Sequence, residues 1–366
     1  MLTNCSHFRC VLTIVFAACV CSLVIFRAFA GENFAREYQF LKATSLDNTS
    51  RPARNRRQIR KTFVTALYDL ASLNDPRSGS SSNSSSNTFF RDIQVDVYVD
   101  SFRQLASLIS GQNNTLFVFH DDADEKIFTK LKTAASGNPY VLFRKRKLKD
   151  TPLGRNQERV LQNLKKMKIS PDRPTGPSDL LKYNSEKMLN YIVINHAKMY
   201  FLMEIAHNLK ITATEVKTLA WIDIGAFQKN RDHSAGLTDD FGCMDTKTAK
   251  FAITKKPWPY YWNSVFLAGN RREVAGGVMI FNVDYLLNKF GPYYFNELLF
   301  MLDRGKITSE QGFLSYLVQT LDEVEYVPSG YSHLYRNMLN CVSTMSSYRE
   351  QSRASKLISM LYQIKY

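Results

Sequence analysis

Apolar residues recur along this chain in two rhythms, and the rhythms alternate. Compact apolar runs occupy KTFVTALYDL (61–70), NTLFVFHDD (114–122), NPYVLFRK (138–145), TLAWID (218–223) and AGGVMIFN (275–282). Each is short and bounded by polar residues, the pattern of a strand buried on both faces. Segments with helical spacing lie between them. Phe102, Leu105, Ala106 and Ile109 repeat at that spacing in 99–110; 157–168 is a shorter candidate, and 187–209 is a long helix or a helix pair. A helix follows the run at 275–282, and another begins at an N-cap of Thr308 or Ser309 within 308–321. Residues 146–182 are basic and proline-containing without firm periodicity after 157–168, and 328–339 reads as a glycine-containing loop bearing His333, Tyr335 and Arg336. Strands alternating with helices predict an α/β fold, with a mostly parallel central sheet and helices on both faces.

In such sheets ligands gather beyond the carboxyl ends of the strands. Asp69, Asp121, Asp122 and Asp223 all fall at such ends. An acid there ordinarily forms a turn or caps a helix, and Asp121 and Asp122, just before ADEKIFTKL, read as caps. Asp223 ends the apolar run Leu219–Ile222, and two residues on stands Gly225 in place of a second acid. Gly276 and Gly277 sit inside an apolar strand, where glycine weakens pairing unless the strand bulges or another group must approach the backbone. Lys198 precedes Leu202, Ile205 and Leu209 at i+4, i+7 and i+11, so its ammonium starts a core-facing stripe. It either snorkels from the helix end or pairs with Asp223 or a phosphate. Glu310 opens its helix, either as a favourable first-turn charge or as a group with chemistry to perform.

The amino-terminal pattern is of another kind. VLTIVFAACVCSLVIF (11–26) is an uncharged apolar block between Arg9 and Arg27. Extended through Ala30 it is read as an uncleaved membrane anchor, the block being longer than the core of a usual signal peptide; the alternative is cleavage near Ala30 and secretion. This predicts a cytoplasmic tail (1–10), a transmembrane signal-anchor (11–30), a basic stem (31–60), a luminal domain (61–345) and a C-terminal helix (346–366). Asn48, Asn83 and Asn113 begin glycosylation sequons. Of six cysteines, four lie in or before the apolar block, which leaves Cys243 and Cys341 for one luminal disulfide. The net charge of +15 would first suggest nucleic acid, but residues 1–61 alone hold +7. The rest is concentrated in short runs such as FRKRKLK (143–149), and with a secretory signature a nucleic-acid partner is not expected.

The runs VTALYDL and NTLFVFHDD, then NHAKMYFLMEIAHN followed by TLAWIDIGAF, resemble the HtrL/YibB family, itself similar to nucleotide-sugar-dependent glycosyltransferases of the GT-A type. The resemblance spans roughly 61–340, and its most specific pieces are INHAKMYFLMEIA (194–206) and AWIDIGAF (220–227). It implies a GT-A-like domain in which Tyr68, Asp69, Lys198, Asp223, Gly276 and Gly277 bind a nucleotide-sugar donor. It further implies a Mn or Mg ion held by Asp223 and His333, and Glu310 as the catalytic carboxylate. The partners implied are that donor, a glycan or protein acceptor, and the membrane of the Golgi or endoplasmic reticulum, crossed once in type II orientation. The family's fold partners commonly carry Asp-x-Asp where this chain has Asp223-Ile224-Gly225, so a hard cation loses one carboxylate. Either His333 and waters complete the metal shell, or Lys198 or the basic runs replace the metal. The alternative function is a non-catalytic luminal module that keeps the fold and binds a glycan or a protein.

Overall fold

The apolar runs fold as strands of one sheet. The computed structural model describes residues 61–68, 95–110, 114–121, 125–169, 185–212, 216–227, 241–254, 274–321, 323–329 and 333–340. The strands are β1 (Thr62–Leu67), β2 (Thr115–His120), β3 (Val141–Lys145), β4 (Thr218–Ile222), β5 (Ala249–Ile253), β6 (Val274–Asn282) and β7 (Val324–Pro328). Their spatial order is β3-β2-β1-β4-β6-β5-β7. The first four run parallel, β6 runs antiparallel to both β4 and β5, and β7 pairs parallel with β5. The carboxyl ends of β1, β2, β3, β4, β5 and β7 therefore share one edge of the sheet with the amino end of β6.

Helices cover both faces, as the alternation predicts. They are α1 (Val95–Ser110), α2 (Glu125–Ala134), α3 (Pro152–Arg155), α4 (Gln157–Ile169), α5 (Ser185–Ile211), α6 (Gly291–Asp303), α7 (Glu310–Thr320) and α8 (Leu334–Leu339). Successive strand residues point to opposite faces, so Val64, Phe119, Leu219 and Trp221 join α4, α5, α6 and α7 in one core. Phe63, Val118, Ala220 and Ile222 join α1, α2 and α8 in the other.

The segment at 187–209 is one helix of 27 residues, buried on all sides through its middle. That is why its apolar residues do not confine themselves to a stripe. Ser309 is the N-cap of α7, its hydroxyl accepting from the Gly312 amide at 3.3 Å. Two strands go beyond the sequence reading: β5, interrupted by the buried Lys250, and β7, whose residues are mostly half-buried. The loop expected over 328–339 is corrected, since Leu334 to Leu339 form α8. Cys243 is disulfide-bonded; Cys341, its expected partner, lies outside the described residues, as do Asp69, Asp122, the sequons at Asn48, Asn83 and Asn113, the block at 11–30, the stem and the C-terminal segment 346–366. Among the described residues no helix is long and apolar enough to cross a membrane.

Because α5 is central, truncating its buried side chains is expected to be severe. Leu202, fully buried, changed to Ala should lower unfolding free energy by about 2–5 kcal/mol. Ile211→Ala, at a position 55% exposed, should stay within about 0.5 kcal/mol. Urea denaturation of the two variants checks the contrast.

Candidate functional site

The site grows from the meeting of α5 with the carboxyl edge of the sheet. Residues 198, 201 and 204 of α5, each three apart, meet the strand ends in their spatial order. Lys198 reaches Asp223 after β4, with Nζ 3.0 Å from Oδ1. Phe201 stacks on Tyr68 after β1 and on Phe119 of β2, at centroid distances of 5.9 and 4.3 Å. Glu204 takes both arms of Arg146 after β3, at 2.8 Å from Nε and from Nη2. Helical neighbours three apart share a face, so one face of one helix fixes the rim of four strands.

Lys198 is the centre of the arrangement. Its ammonium is buried, donates to the Gly276 carbonyl at 3.1 Å and lies 3.7 Å from Glu310 Oε1. It also sits 5.6 Å from the centroid of the Trp221 ring, a cation–π contact. Burial pulls the Lys198 pKa down, but the charges of Asp223 and Glu310 outweigh that pull and hold it above the ordinary lysine range. Trp221 donates its indole N–H to the same Asp223 Oδ1 at 2.6 Å. Asp223 Oδ1 is thus engaged by two donors, while Oδ2 points toward the other face of the sheet, near Gly277.

The two glycines are explained by the protein's own side chains. A Cβ on Gly276 would overlap both carboxylate oxygens of Glu310. A Cβ on Gly277 would lie 3.0 Å from Tyr335 Oη, 3.1 Å from Leu334 Cδ2 and 3.5 Å from Asp223 Oδ2. The strand also steps out of register here: Phe251 of β5 faces Met279, whereas the next residue, Ala252, faces Ala275. Gly276 and Gly277 lie within that irregularity, so both features anticipated for strand glycines are present, a bulge and a close approach.

Glu310 sits in the first turn of α7, 3% exposed, with Oε1 lacking a hydrogen-bond partner. Burial pushes its pKa up to about 7 against the pull of Lys198. The carboxylate expected to serve catalysis packs against Gly276 of β6 and lies 3.7 Å from Lys198 Nζ. The loop before it is tied down by His196 of α5. With the Thr308 carbonyl 3.0 Å from Nε2 and Tyr294 Oη 2.7 Å from Nδ1, His196 donates from Nε2 and accepts at Nδ1. Burial lowers the His196 pKa to about 4, so the ring stays neutral.

Tyr68 commits its hydroxyl to the Arg146 carbonyl at 3.0 Å, and burial raises its pKa well above the usual value. The structure therefore gathers Lys198, Asp223, Gly276, Gly277 and Glu310 in one place, with Tyr68 at the next strand end. His333 is exposed at the residue before α8, and it is Leu334 and Tyr335 that approach Gly277. A divalent cation wants about six oxygen ligands. Asp223 offers one uncommitted oxygen, its other being taken by Trp221 and Lys198, and among the described residues no three His, Cys, Asp or Glu side chains converge. This donor set does not fit a tightly held Mn or Mg ion. Trp221 and Tyr335 were missed at the sequence level; Trp221 was within reach, being two residues before Asp223 and so on the same strand face.

No family model and no curated protein matches the chain. Among solved structures it is similar to the bifunctional glycosyltransferase WbbM in its apo form, at 10% identity and a TM-score of 0.36, covering 77% of this chain and 40% of that one. It is also similar to the mannosyltransferase Ktr4p from S. cerevisiae in complex with GDP, at 12% identity and a TM-score of 0.34, covering 78% and 72%.

Two outcomes test the site as built. Gly276→Ala forces Glu310 off Lys198 and should destabilise by about 1–3 kcal/mol, measured by chemical denaturation. The second concerns pH. Glu310, an acid raised from its ordinary value of 4.5 to about 7, contributes stability that is present below the lower value and lost as pH climbs through the higher. His196, lowered from 6.5 to about 4, acts in the opposite sense and loses its contribution as pH falls. Stability of the native protein relative to Glu310→Gln should therefore decline between these Glu310 values; parallel profiles would show that Glu310 does not titrate there.

Proposed function

We propose that the protein transfers a sugar from a nucleotide-sugar donor to a glycan or protein acceptor. The observation that carries this reading is the sheet's reversal point. From β1 the chain adds β2 and β3 on one side, then β4 on the other. The order β3-β2-β1-β4 is that of a mononucleotide-binding half-sheet, in which the ligand enters the crevice where the strand order reverses. That crevice is bounded here by Tyr68 and Asp223. The sequence at and beyond the end of β1 reads TALYDLASLND, without the glycine-rich phosphate-binding motif of a dinucleotide fold. A positive field is available instead from Arg144, Lys145, Lys147 and Lys149 at and after the end of β3 on the same edge. The half-exposed Asp223, with the buried Lys198 and Glu310 behind it, forms a built polar centre at the sheet's edge, as expected at a site of function.

The secretory placement is part of the proposal. It is supported by the apolar block at 11–26, the sequons at Asn48, Asn83 and Asn113, and the pair Cys243 and Cys341. In this reading the catalytic domain lies in the lumen of the Golgi or endoplasmic reticulum behind a single type II anchor. The non-catalytic glycan- or protein-binding module remains the second reading, favoured by Gly225 standing where a second acid would be.

A thermal-shift screen with UDP- and GDP-sugars, with and without Mn²⁺, separates the two. A donor at one hundred times its Kd should stabilise by about 2.7 kcal/mol, and the gain should not depend on the ion. A flat response to every donor would favour the binding module. Asp223→Asn should weaken the donor response. It should also lower basal stability by about 1.5–3 kcal/mol, because Asp223 makes a charge-assisted contact with Lys198, so the ligand-induced shift is the quantity to compare.

A further inference from the structure

Asp223 and Tyr335 approach one point from two directions. Tyr335 Oη is 3.0 Å, and Asp223 Oδ2 3.5 Å, from the position a Cβ on Gly277 would occupy. The phenol ring is buried in the core formed by α1, α2 and α8. Its hydroxyl has no hydrogen-bond partner among the described residues. Burial first, and the Asp223 charge second, raise the Tyr335 pKa well above the usual phenol value, so the group remains an O–H able to donate. Asp223 Oδ2 beside it can only accept.

The charge of this corner decides what it takes. Asp223 is anionic, Lys198 is cationic but buried behind it, and Glu310 adds either nothing or another negative charge. With no net positive charge, the corner offers nothing to attract a diphosphate. One acceptor and one hydroxyl over a bare glycine backbone are instead matched to a neutral polyol, whose hydroxyls donate to the carboxylate and accept from the phenol. We propose that Asp223 and Tyr335 form the subsite for the hexose of the nucleotide sugar, reading a pair of its hydroxyls, and that the diphosphate lies elsewhere along the rim. This rests on the transferase reading and deepens it: Tyr335 becomes a specificity-determining residue, and Asp223 a sugar ligand instead of a metal ligand.

The test is calorimetric titration of the full chain and of Tyr335→Phe with UDP, GDP, UDP-glucose, UDP-galactose, UDP-N-acetylglucosamine and GDP-mannose. The variant keeps the buried ring and should keep its melting temperature, since the hydroxyl holds no partner among the described residues. It should bind the preferred nucleotide sugar about 5- to 10-fold more weakly, the effect of one neutral hydrogen bond, and bind the parent UDP or GDP as the native protein does. Equal weakening of the parent nucleotide would place the phenol on phosphate and overturn the subsite. Unchanged affinity for every ligand, or a fall in melting temperature, would overturn it while leaving the transferase reading in place. If the native protein binds no nucleotide and no nucleotide sugar, the transferase reading itself falls and takes the subsite with it.

Discussion

An ammonium buried in the middle of a helix packed on all sides must be met by anions and carbonyls, or the fold bears a desolvation penalty of several kcal/mol. Lys198 is met from three directions: by Asp223 at the end of β4, by Glu310 in the first turn of α7, and by the Gly276 carbonyl of β6. These segments are far apart in the chain, and each is shaped to reach the same point. β6 steps out of register with β5 where it lends its carbonyl, and its residue there is a glycine because Glu310 fills the place of a side chain. Apolar burial is non-directional and would tolerate other arrangements of these segments. Charge compensation does not.

The same helix sets the remainder of the rim. His196 fixes the loop before Glu310, and Glu204 fixes Arg146 beyond β3. Three polar residues on one buried helix therefore orient separate parts of one edge. A rigid helix makes a better template for a site than the loops that carry its ligands.

Much of the sheet was legible in the sequence, because a strand buried on both faces is a continuous apolar run between polar ends. β5 and β7 were harder: β5 has a lysine at its second position, and β7 is only partly covered, so neither forms such a run. The pairing of Lys198 with Asp223 was open to reasoning, since a charge on a core-facing stripe needs a partner. The pairing with Glu310 was not, because the contact between α5 and α7 leaves no local mark in either segment. Tyr335 was hidden by length. A helix of six residues completes too few turns to show a period, and its segment read as a loop in which His333 drew attention for its ligand chemistry. Packing set the register, and it brought in the tyrosine two positions on.

The strand order has a consequence for how the chain is completed as it is made. β1, β2 and β3 can pair as soon as residue 145 is available, but the other edge of β1 stays open until β4 at 218–222. β5 has no neighbour until β6 exists, and its other edge stays open until β7. For most of synthesis, then, the growing domain presents unpaired strand edges, the state in which partly folded chains associate with one another. The counter-charge from Glu310 also arrives late, so Lys198 is fully neutralised only when the last part of the domain docks. Folding here is gated from the carboxyl-terminal side, and the electrostatic centre is among its final events.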